Sequence, residues 1–266
     1  MEYKRLRLEF KDDIAILTLY HPEVLNAISL LMIRELNQAV EEIEDPANGA
    51  RCLLMTGAGR GFSAGANLSD TEARLSRADR KMDAGEALTK YYNPFFIRLK
   101  KLKMPFVTAV NGPAAGVGMS LAIMGDLVLA ARSSFFLQAF RHIGLIPDGG
   151  ATYILPRLVG FSRAMELSLL GEKLPAEKAL EWGLINRVYD DEELMPRALE
   201  LCRELAQGPT EALRLIRKAY WNSIDNTYEQ QLGLEGMLQK QAGRTEDFME
   251  GVSAFLDKRP ADFKGK

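Results

Sequence analysis

The stretch at residues 105–131, PFVTAVNGPAAGVGMSLAIMGDLVLAA, decides the fold of this chain. Residues 105–110 are apolar and rich in β-branched side chains, and an Asn-Gly pair follows them, so they predict a buried strand. Residues 126–131 predict a second strand in the same way. The segment 116–125 between them is apolar almost all round, which is typical of a helix that is buried on every side. A strand–helix–strand unit is therefore expected at the centre of the molecule.

Three glycines, Gly112, Gly116 and Gly118, lie where the first of these strands turns into the helix. Glycine allows a sharp bend and lets a ligand approach the main-chain N–H groups. The first turn of a helix has unpaired N–H groups and a partial positive charge, so this turn could hold a negatively charged oxygen. Tight packing alone explains the glycines equally well. A dinucleotide fingerprint is disfavoured because Leu121 stands where its third glycine is required.

The composition limits the classes of function. The 266 residues are 47% hydrophobic and 26% charged, with a net charge of −2, which gives no support for nucleic-acid binding. No apolar run reaches the ~20 residues of a membrane span, and the first ten residues lack the apolar region of a secretory signal. Cys52 and Cys202 are expected to be core residues, and two histidines make a metal site improbable. A cytoplasmic protein is expected.

The order of the elements predicts an α/β protein with two parts. Two strands at residues 6–10 and 14–20 flank a turn, Ser29 is expected to cap a helix, and residues 51–56 predict a buried strand. Residues 69–90 are polar and are expected to be mobile, and residues 140–150 are expected to form a loop. From Asp190 onward only helices are predicted. We therefore expect a core at residues 1–190 and a helical region at residues 191–266 that packs on a neighbouring subunit.

A second glycine-rich turn, GAGRGFSAGAN at residues 57–67, follows the predicted strand 51–56. If it meets the turn at Gly118, two N–H groups can point at one carbonyl oxygen and stabilise the charge that develops on it. A carboxylate opposite that oxygen could move protons at the neighbouring carbon. Asp148 is the candidate carboxylate. The alternative is an ordinary surface turn, because Pro147-Asp148-Gly149 is a common turn sequence.

The same residues resemble the crotonase family, the enoyl-CoA hydratases and isomerases, over nearly the whole chain. The motifs that carry the resemblance are HPEVLNA at 21–27, FSAGANL at 62–68, NGPAAGVG at 111–118, Gly125-Asp126 and Leu155-Pro156-Arg157. The resemblance implies a ClpP-like α/β spiral of ββα units, with a C-terminal helical region that forms homotrimers or dimers of trimers. It also implies an acyl-CoA thioester as the substrate.

The resemblance further implies the site residues. The thioester carbonyl would lie between the N–H groups of Ala66 and Gly118, and Phe140 and Ile143 would make the acyl pocket apolar. Gly116 would also contact the substrate. The thiol end of coenzyme A would be lined by Val24, Leu25, Ala27, Ala64, Asn67 and Leu68. Asn67 departs from the family's common aspartate. No metal or redox cofactor is implied, since coenzyme A is part of the substrate.

Two departures from the family pattern favour one reaction over another. Hydratases of the family carry two glutamates, but this chain has Ser120 and Phe140 at those positions, which leaves Asp148 as the acid. Isomerases of the family use a single acid at this loop. The motifs YNP at 92–94, GLIPD at 144–148 and GVSAFL at 251–256 resemble the phenylacetate-degradation isomerases, which act on 1,2-epoxyphenylacetyl-CoA. An acyl-CoA isomerase is therefore predicted.

Three alternatives remain. The first is an enoyl-CoA hydratase of fatty-acid or aromatic degradation. The second is a dehalogenase or thioesterase of the same family, in which carboxylates generally act as nucleophiles. The third is a non-catalytic or RNA-binding homologue, against which the near-neutral net charge and the two intact glycine turns argue.

Overall fold

The structure, a computed structural model, describes residues 2–69 and 84–266 and shows a six-stranded sheet with helices on both faces. The strands are β1 (Leu6–Lys11), β2 (Ile14–Leu19), β3 (Cys52–Gly57), β4 (Phe106–Val110), β6 (Leu127–Ala131) and β9 (Arg187–Tyr189), and they lie in that order. In this sheet β1 and β2 pair antiparallel, and the other neighbouring strands pair parallel. Most of the segment expected to be mobile lies outside the described residues.

A second, three-stranded sheet consists of β5 (Ala114–Ala115), β7 (Phe135–Leu137) and β8 (Leu174–Pro175), in the order β5-β7-β8. The bounds of the main helices are α1 (Leu30–Glu44), α2 (Asn93–Lys100), α3 (Val117–Ala122), α4 (Ala151–Val159), α5 (Phe161–Leu170), α6 (Ala176–Glu181), α7 (Asp191–Gln207), α8 (Thr210–Ser223), α9 (Tyr228–Ala242) and α10 (Glu246–Asp257). A helical segment at Ala84–Ala87 and a π-helical turn at Leu88–Tyr92 precede α2. The loop expected at residues 140–150 includes a 3-10 helix at Ala139–Ile143.

The strand–helix–strand unit forms as the sequence predicts. Every residue of β4 is buried, and so is every residue of α3, because strands and helices cover both of them. No side of the helix faces solvent, so apolar residues occur all round it and the segment shows no amphipathic period. The unit places the N-terminus of α3 at the carboxyl end of the parallel strand β4, the edge at which α/β proteins commonly bind ligands.

The predicted Gly125-Asp126 motif joins this unit to the helical region. The Asp126 carboxylate accepts a hydrogen bond from the Phe106 N–H at 2.8 Å, at the start of β4. It also pairs with the guanidinium of Arg217 on α8, a side chain that is almost fully buried. Arg217 donates further to the carbonyls of Leu99 and Leu102. The motif therefore has a structural role here, in holding α8 against the core.

Helix α7 packs directly on the main sheet. Its buried residues form one cluster with the face of β2, β3, β4 and β6: Leu194, Ala198, Leu201, Cys202 and Ala206. Cys52 on β3 and Cys202 are buried and free, as the sequence predicts. The helix α7 thus completes the core of the main sheet. The division into parts at residue 190 and the trimer interface stay predictions.

The later helices present large apolar side chains to solvent. On α10, Met249, Phe255 and Leu256 are 62%, 84% and 73% exposed. Phe255 and Leu256 border a cavity of about 600 Å³ that α10 shares with residues of α8 and α9. Within the described ranges, every helix is too short or too polar to cross a membrane.

Candidate active site

The two glycine-rich turns meet at the carboxyl end of the main sheet. Ser63 in the first turn bridges to Ala114 in the second, and the Ala115 N–H donates to the Ser63 carbonyl at 2.9 Å. Gly65 has a φ of +94°, and a Cβ there would lie 2.8 Å from the Ala115 carbonyl oxygen. Gly116 has a φ of +52°. Both positions therefore need glycine, and the tight packing is what brings the turns together.

The N–H groups of Ala66 and Gly118 lie on these two turns. Gly118 is the second residue of α3, so its N–H belongs to the first helical turn, where no intrahelical acceptor is available. Ala66 forms an isolated bridge with Ile28, in which the neighbouring residues Gly65 and Asn67 make the hydrogen bonds. We find no acceptor for either N–H among residues 2–69 and 84–266. Both groups are available to a ligand oxygen.

Close packing fixes Gly118 against the other turn. A Cβ at Gly118 would lie 2.5 Å from the carbonyl oxygen of Ser63 and 2.7 Å from its Cβ. Any side chain at this position would push α3 away from the first turn. The absence of a side chain at Gly118 thus sets the separation between the two donor groups.

A surface cavity of about 520 Å³ opens beside Ala66. It is lined by Val24, Ala27, Ala64, Ala66, Asn67, Leu68 and Ser69. Five of the six residues predicted for the thiol end of coenzyme A therefore share one cavity. Leu25 does not line it: the Leu25 carbonyl accepts from the Ala64 N–H at 2.8 Å, and its side chain lies against Gly61.

Two buried polar residues, Asn26 and Ser63, support this region, and the sequence analysis assigned them no role. Asn26 has a φ of +55°, and its amide donates to the carbonyls of Ala58 and Gly61 and accepts from the His21 N–H. The Ser63 hydroxyl donates to the Asn26 carbonyl at 2.9 Å. These bonds fix the loop at residues 21–27 to the first glycine turn. Because Asn26 and Ser63 belong to the motifs HPEVLNA and FSAGANL, these motifs could have indicated their supporting role.

Asp148 lies on the loop between the 3-10 helix and α4. The Asp148 carbonyl accepts hydrogen bonds from the Ser120 hydroxyl at 2.8 Å and from the Ala151 N–H at 3.1 Å. Its carboxyl oxygen Oδ1 is buried and has no hydrogen-bond partner within the described parts of the chain. Burial raises the pKa of Asp148 to about 6. A carboxyl group with such a pKa is suited to accept and return a proton near neutral pH.

Four further residues near this loop, Phe140, Arg141, His142 and Ile143, have different environments. The buried ring of Phe140 reaches the second glycine turn, since a Cβ at Gly116 would lie 3.9 Å from the Phe140 ring. Ile143 is half exposed, and its place in an acyl pocket stays a prediction. His142 and Arg141 contact the end of α5: the His142 ring lies 2.9 Å from the Gly171 carbonyl, and Arg141 donates to the carbonyls of Leu169 and Leu170. They therefore cap the C-terminus of α5.

One aromatic contact behind the loop was also not predicted. A Cβ at Gly149, whose φ is +59°, would lie 2.8 Å from the ring of Phe96 and 2.9 Å from the Ser120 Cβ. Phe96 on α2 and Ser120 on α3 therefore support the loop from behind. In the sequence, Phe96 is one apolar position of an amphipathic helix, and that pattern does not predict its contact with the loop.

Comparisons with known proteins agree with this arrangement. A family model described as enoyl-CoA hydratase/isomerase matches residues 9–266. The chain is 48% identical over 250 residues to the 1,2-epoxyphenylacetyl-CoA isomerase of Escherichia coli (strain K12), with 94% of each chain covered. It is 39% identical over 266 residues to a probable enoyl-CoA hydratase of Rhodobacter capsulatus, with 100% of each covered. The crystal structure of enoyl-CoA hydratase subunit I of Geobacillus kaustophilus HTA426 superposes with a TM-score of 0.91, at 32% identity and full coverage of both chains.

Proposed function

Because the chain belongs to the enoyl-CoA hydratase/isomerase family, as its motifs predict, we propose that it is an isomerase of acyl-CoA thioesters. The observation that carries the proposal is the state of Asp148. Its Oδ1 oxygen is buried without a hydrogen-bond partner among the described residues, and burial raises the pKa of the carboxyl to about 6. By the resemblance of the motifs, Ser120 and Phe140 stand where hydratases of the family would carry glutamates. One carboxyl group is enough for a proton shift between two carbons.

In the proposed reaction, the thioester carbonyl oxygen binds between the N–H groups of Ala66 and Gly118. The Asp148 carboxylate removes a proton from carbon 2 of a 3-enoyl-CoA, and the electron pair of that C–H bond passes into a dienolate. The two N–H donors stabilise the negative oxygen, and each such donor is worth about 2.7–4 kcal/mol in the transition state. The Asp148 carboxylic acid then returns the proton to carbon 4, which gives the 2-enoyl-CoA and restores the carboxylate.

The cavity beside Ala66 suits the thiol end of coenzyme A. It is open to solvent and is lined by small and apolar side chains with Asn67 among them, a surface that the apolar and amide groups of a pantetheine arm can contact. The two N–H groups supply the stabilisation of the enolate, so the proposed route requires no metal ion and no redox cofactor. The exposed apolar surface of α10 is consistent with a trimer or a dimer of trimers.

A second substrate follows from one comparison. The relative that is 48% identical is named a 1,2-epoxyphenylacetyl-CoA isomerase, and that substrate is also a thioester. The same oxyanion donors would hold its carbonyl oxygen. We therefore propose ring-epoxide isomerisation as a second candidate reaction at this site.

The test compares two reactions of the wild-type protein. A 3-enoyl-CoA should convert to the 2-enoyl-CoA much faster than crotonyl-CoA takes up water, because hydration needs a positioned water and an acid in addition to the base. Hydration that outruns isomerisation would favour the hydratase alternative, which the name of the Rhodobacter capsulatus relative also represents. Loss of both activities, with coenzyme A thioesters still bound, would favour a non-catalytic role.

A further inference from the structure

We propose that Ser120 is a positioning residue that ties the catalytic loop of Asp148 to the helix that carries the oxyanion donor Gly118. The inference rests on the proposed function and assigns a role to a residue that lacks one. Ser120 touches neither the thioester nor the reacting carbons in this account. It acts through the main chain of Asp148.

The hydrogen bonds of Ser120 join the two catalytic elements. Its hydroxyl donates to the Asp148 carbonyl at 2.8 Å, with a longer contact of 3.4 Å to the Gly116 carbonyl. Its N–H donates to the same Gly116 carbonyl at 3.1 Å within the first turn of α3. Ser120 is two residues after Gly118 on a helix of six residues. One short, fully buried helix therefore provides the N–H for the carbonyl oxygen and the anchor for the base, so that the distance between them is set by rigid structure.

The acceptor that Ser120 uses matters for the chemistry. A hydroxyl that donated to the carboxylate would stabilise its charge and lower its pKa. Ser120 donates to the main-chain carbonyl, so it fixes the loop and leaves Oδ1 without a donor from the described residues. Burial alone is the cause of the raised pKa of Asp148, with no contribution from a charged neighbour within those residues. Ser120 thus holds the carboxylate in its buried position without donating a hydrogen bond to its charge.

The space around Ser120 explains why a short side chain stands there. Its side chain is fully buried, and the Gly149 backbone packs against its Cβ so closely that a Cβ at Gly149 would lie 2.9 Å away. A glutamate at position 120 would displace the Pro147–Gly150 loop or remove its anchor. The close packing therefore favours a short side chain at position 120 while this loop holds the carboxylate.

The test is the Ser120→Ala variant, which removes the hydroxyl and keeps the Cβ. Ser134→Ala is the matched control: Ser134 is also buried, and its hydroxyl donates to the Ala131 carbonyl at 2.7 Å, away from the catalytic loop. Each variant removes a buried hydroxyl that donates to a main-chain carbonyl. For Ser120→Ala with a 3-enoyl-CoA, kcat should fall about 10- to 100-fold while KM changes less than about threefold, since misplacement of a catalytic group by ~1 Å costs on the order of 10²-fold. Ser134→Ala should keep wild-type kinetics.

A second readout does not depend on turnover. The pH dependence of the stability gained on Asp148→Asn reports the pKa of the Asp148 carboxyl in the folded state. With Ser120→Ala present, the loop can move toward solvent, so that this pKa should fall toward the ordinary value. Ser120→Cys, which keeps the shape with a weak donor, should be intermediate in both readouts and serves if Ser120→Ala does not fold.

The outcomes separate the two proposals. Wild-type kcat and an unchanged Asp148 pKa in Ser120→Ala would overturn the positioning role of Ser120. If the wild-type protein does not isomerise 3-enoyl-CoA, the proposed function fails, and the pH-dependent stability still decides whether Ser120 controls the Asp148 loop.

Discussion

Replacing Asp148 with asparagine should make the protein less active and more stable at the same time. Asparagine cannot accept the proton from carbon 2, so kcat should fall about 10²- to 10⁴-fold, the usual contribution of a general base. The two oxyanion donors and the cavity beside Ala66 are untouched, so binding of coenzyme A thioesters should persist. The gain in stability follows from the burial of an unpartnered carboxyl oxygen.

The size and pH range of that gain follow from the pKa of Asp148. Burial raises this pKa from 3.8 to about 6, and each unit corresponds to about 1.4 kcal/mol, so the ionised carboxyl destabilises the folded state by up to about 3 kcal/mol. Because the folded-state pKa lies above the unfolded value, the protonated carboxyl favours the folded state. This contribution of Asp148 to the stability of the wild-type protein is fully present below pH 3.8 and is lost as the pH rises through about 6. Partial exposure of the side chain makes the figure an upper limit.

The assay is urea unfolding of wild type and Asp148→Asn at one protein concentration and several pH values. The variant should be more stable by about 1–3 kcal/mol at pH 8, by about half of that at pH 5, and by little below pH 4. Equal stability of the two proteins at all these pH values would show that the Asp148 carboxyl is not held in a desolvated site. The reasoning from burial to basicity would then be refuted.

Three further predictions concern the oxyanion donor, the subunit interface and the core. Gly118→Pro should abolish turnover because it removes an N–H donor and also places a Cβ against Ser63, so Gly118→Ala, which adds the Cβ and keeps the N–H, is the control; a folded Gly118→Pro variant with normal turnover would contradict the assignment. Size-exclusion chromatography with light scattering should show a trimer or hexamer, because α10 exposes Met249, Phe255 and Leu256; a stable monomer at micromolar concentration would contradict it. Asp126→Ala leaves the buried guanidinium of Arg217 without its carboxylate and should cost about 1.5–3 kcal/mol in urea unfolding, with a smaller loss in Asp126→Asn; equal stability of Asp126→Ala and wild type would disprove the role of this pair.

Elements with a clear apolar pattern could be predicted from the sequence. The apolar strands β2, β3 and β4 and the buried helix α3 appear within a few residues of their predicted positions. The predicted cap at Ser29 is confirmed, since its hydroxyl accepts from the Met32 N–H. Local chemistry decides these features, so that one sequence is enough to find them.

Helix α4 was missed for a physical reason. Pro156 lies inside it, and two glycines precede it, which are signals that normally end or exclude a helix. Packing of Ile154 and Leu155 against the core compensates for the hydrogen bond that the proline removes. Tertiary contacts of this kind leave no mark in the local pattern.

The site was predictable as a set of residues but not as a geometry. Both glycine turns and Asp148 stand out in the sequence, yet their approach depends on long-range contacts, such as the Gly65 backbone against Ala115. The anchor from Ser120 to the Asp148 carbonyl connects residues 28 positions apart. A serine in an apolar helix carries no local signal for such a partner, and the contact could be found only in the folded structure.

The most direct test of the account is hydrogen–deuterium exchange at carbon 2 of an arylacetyl-CoA, such as phenylacetyl-CoA, in D₂O. This thioester has acidic hydrogens beside the carbonyl but no double bond in position to migrate, so that exchange reports proton removal alone. The wild-type protein should exchange one of the two hydrogens selectively, since a single carboxylate faces one side of the enolate. Asp148→Asn should exchange at least about 10²-fold more slowly. Exchange by Asp148→Asn at the wild-type rate would contradict the assignment of Asp148 as the base.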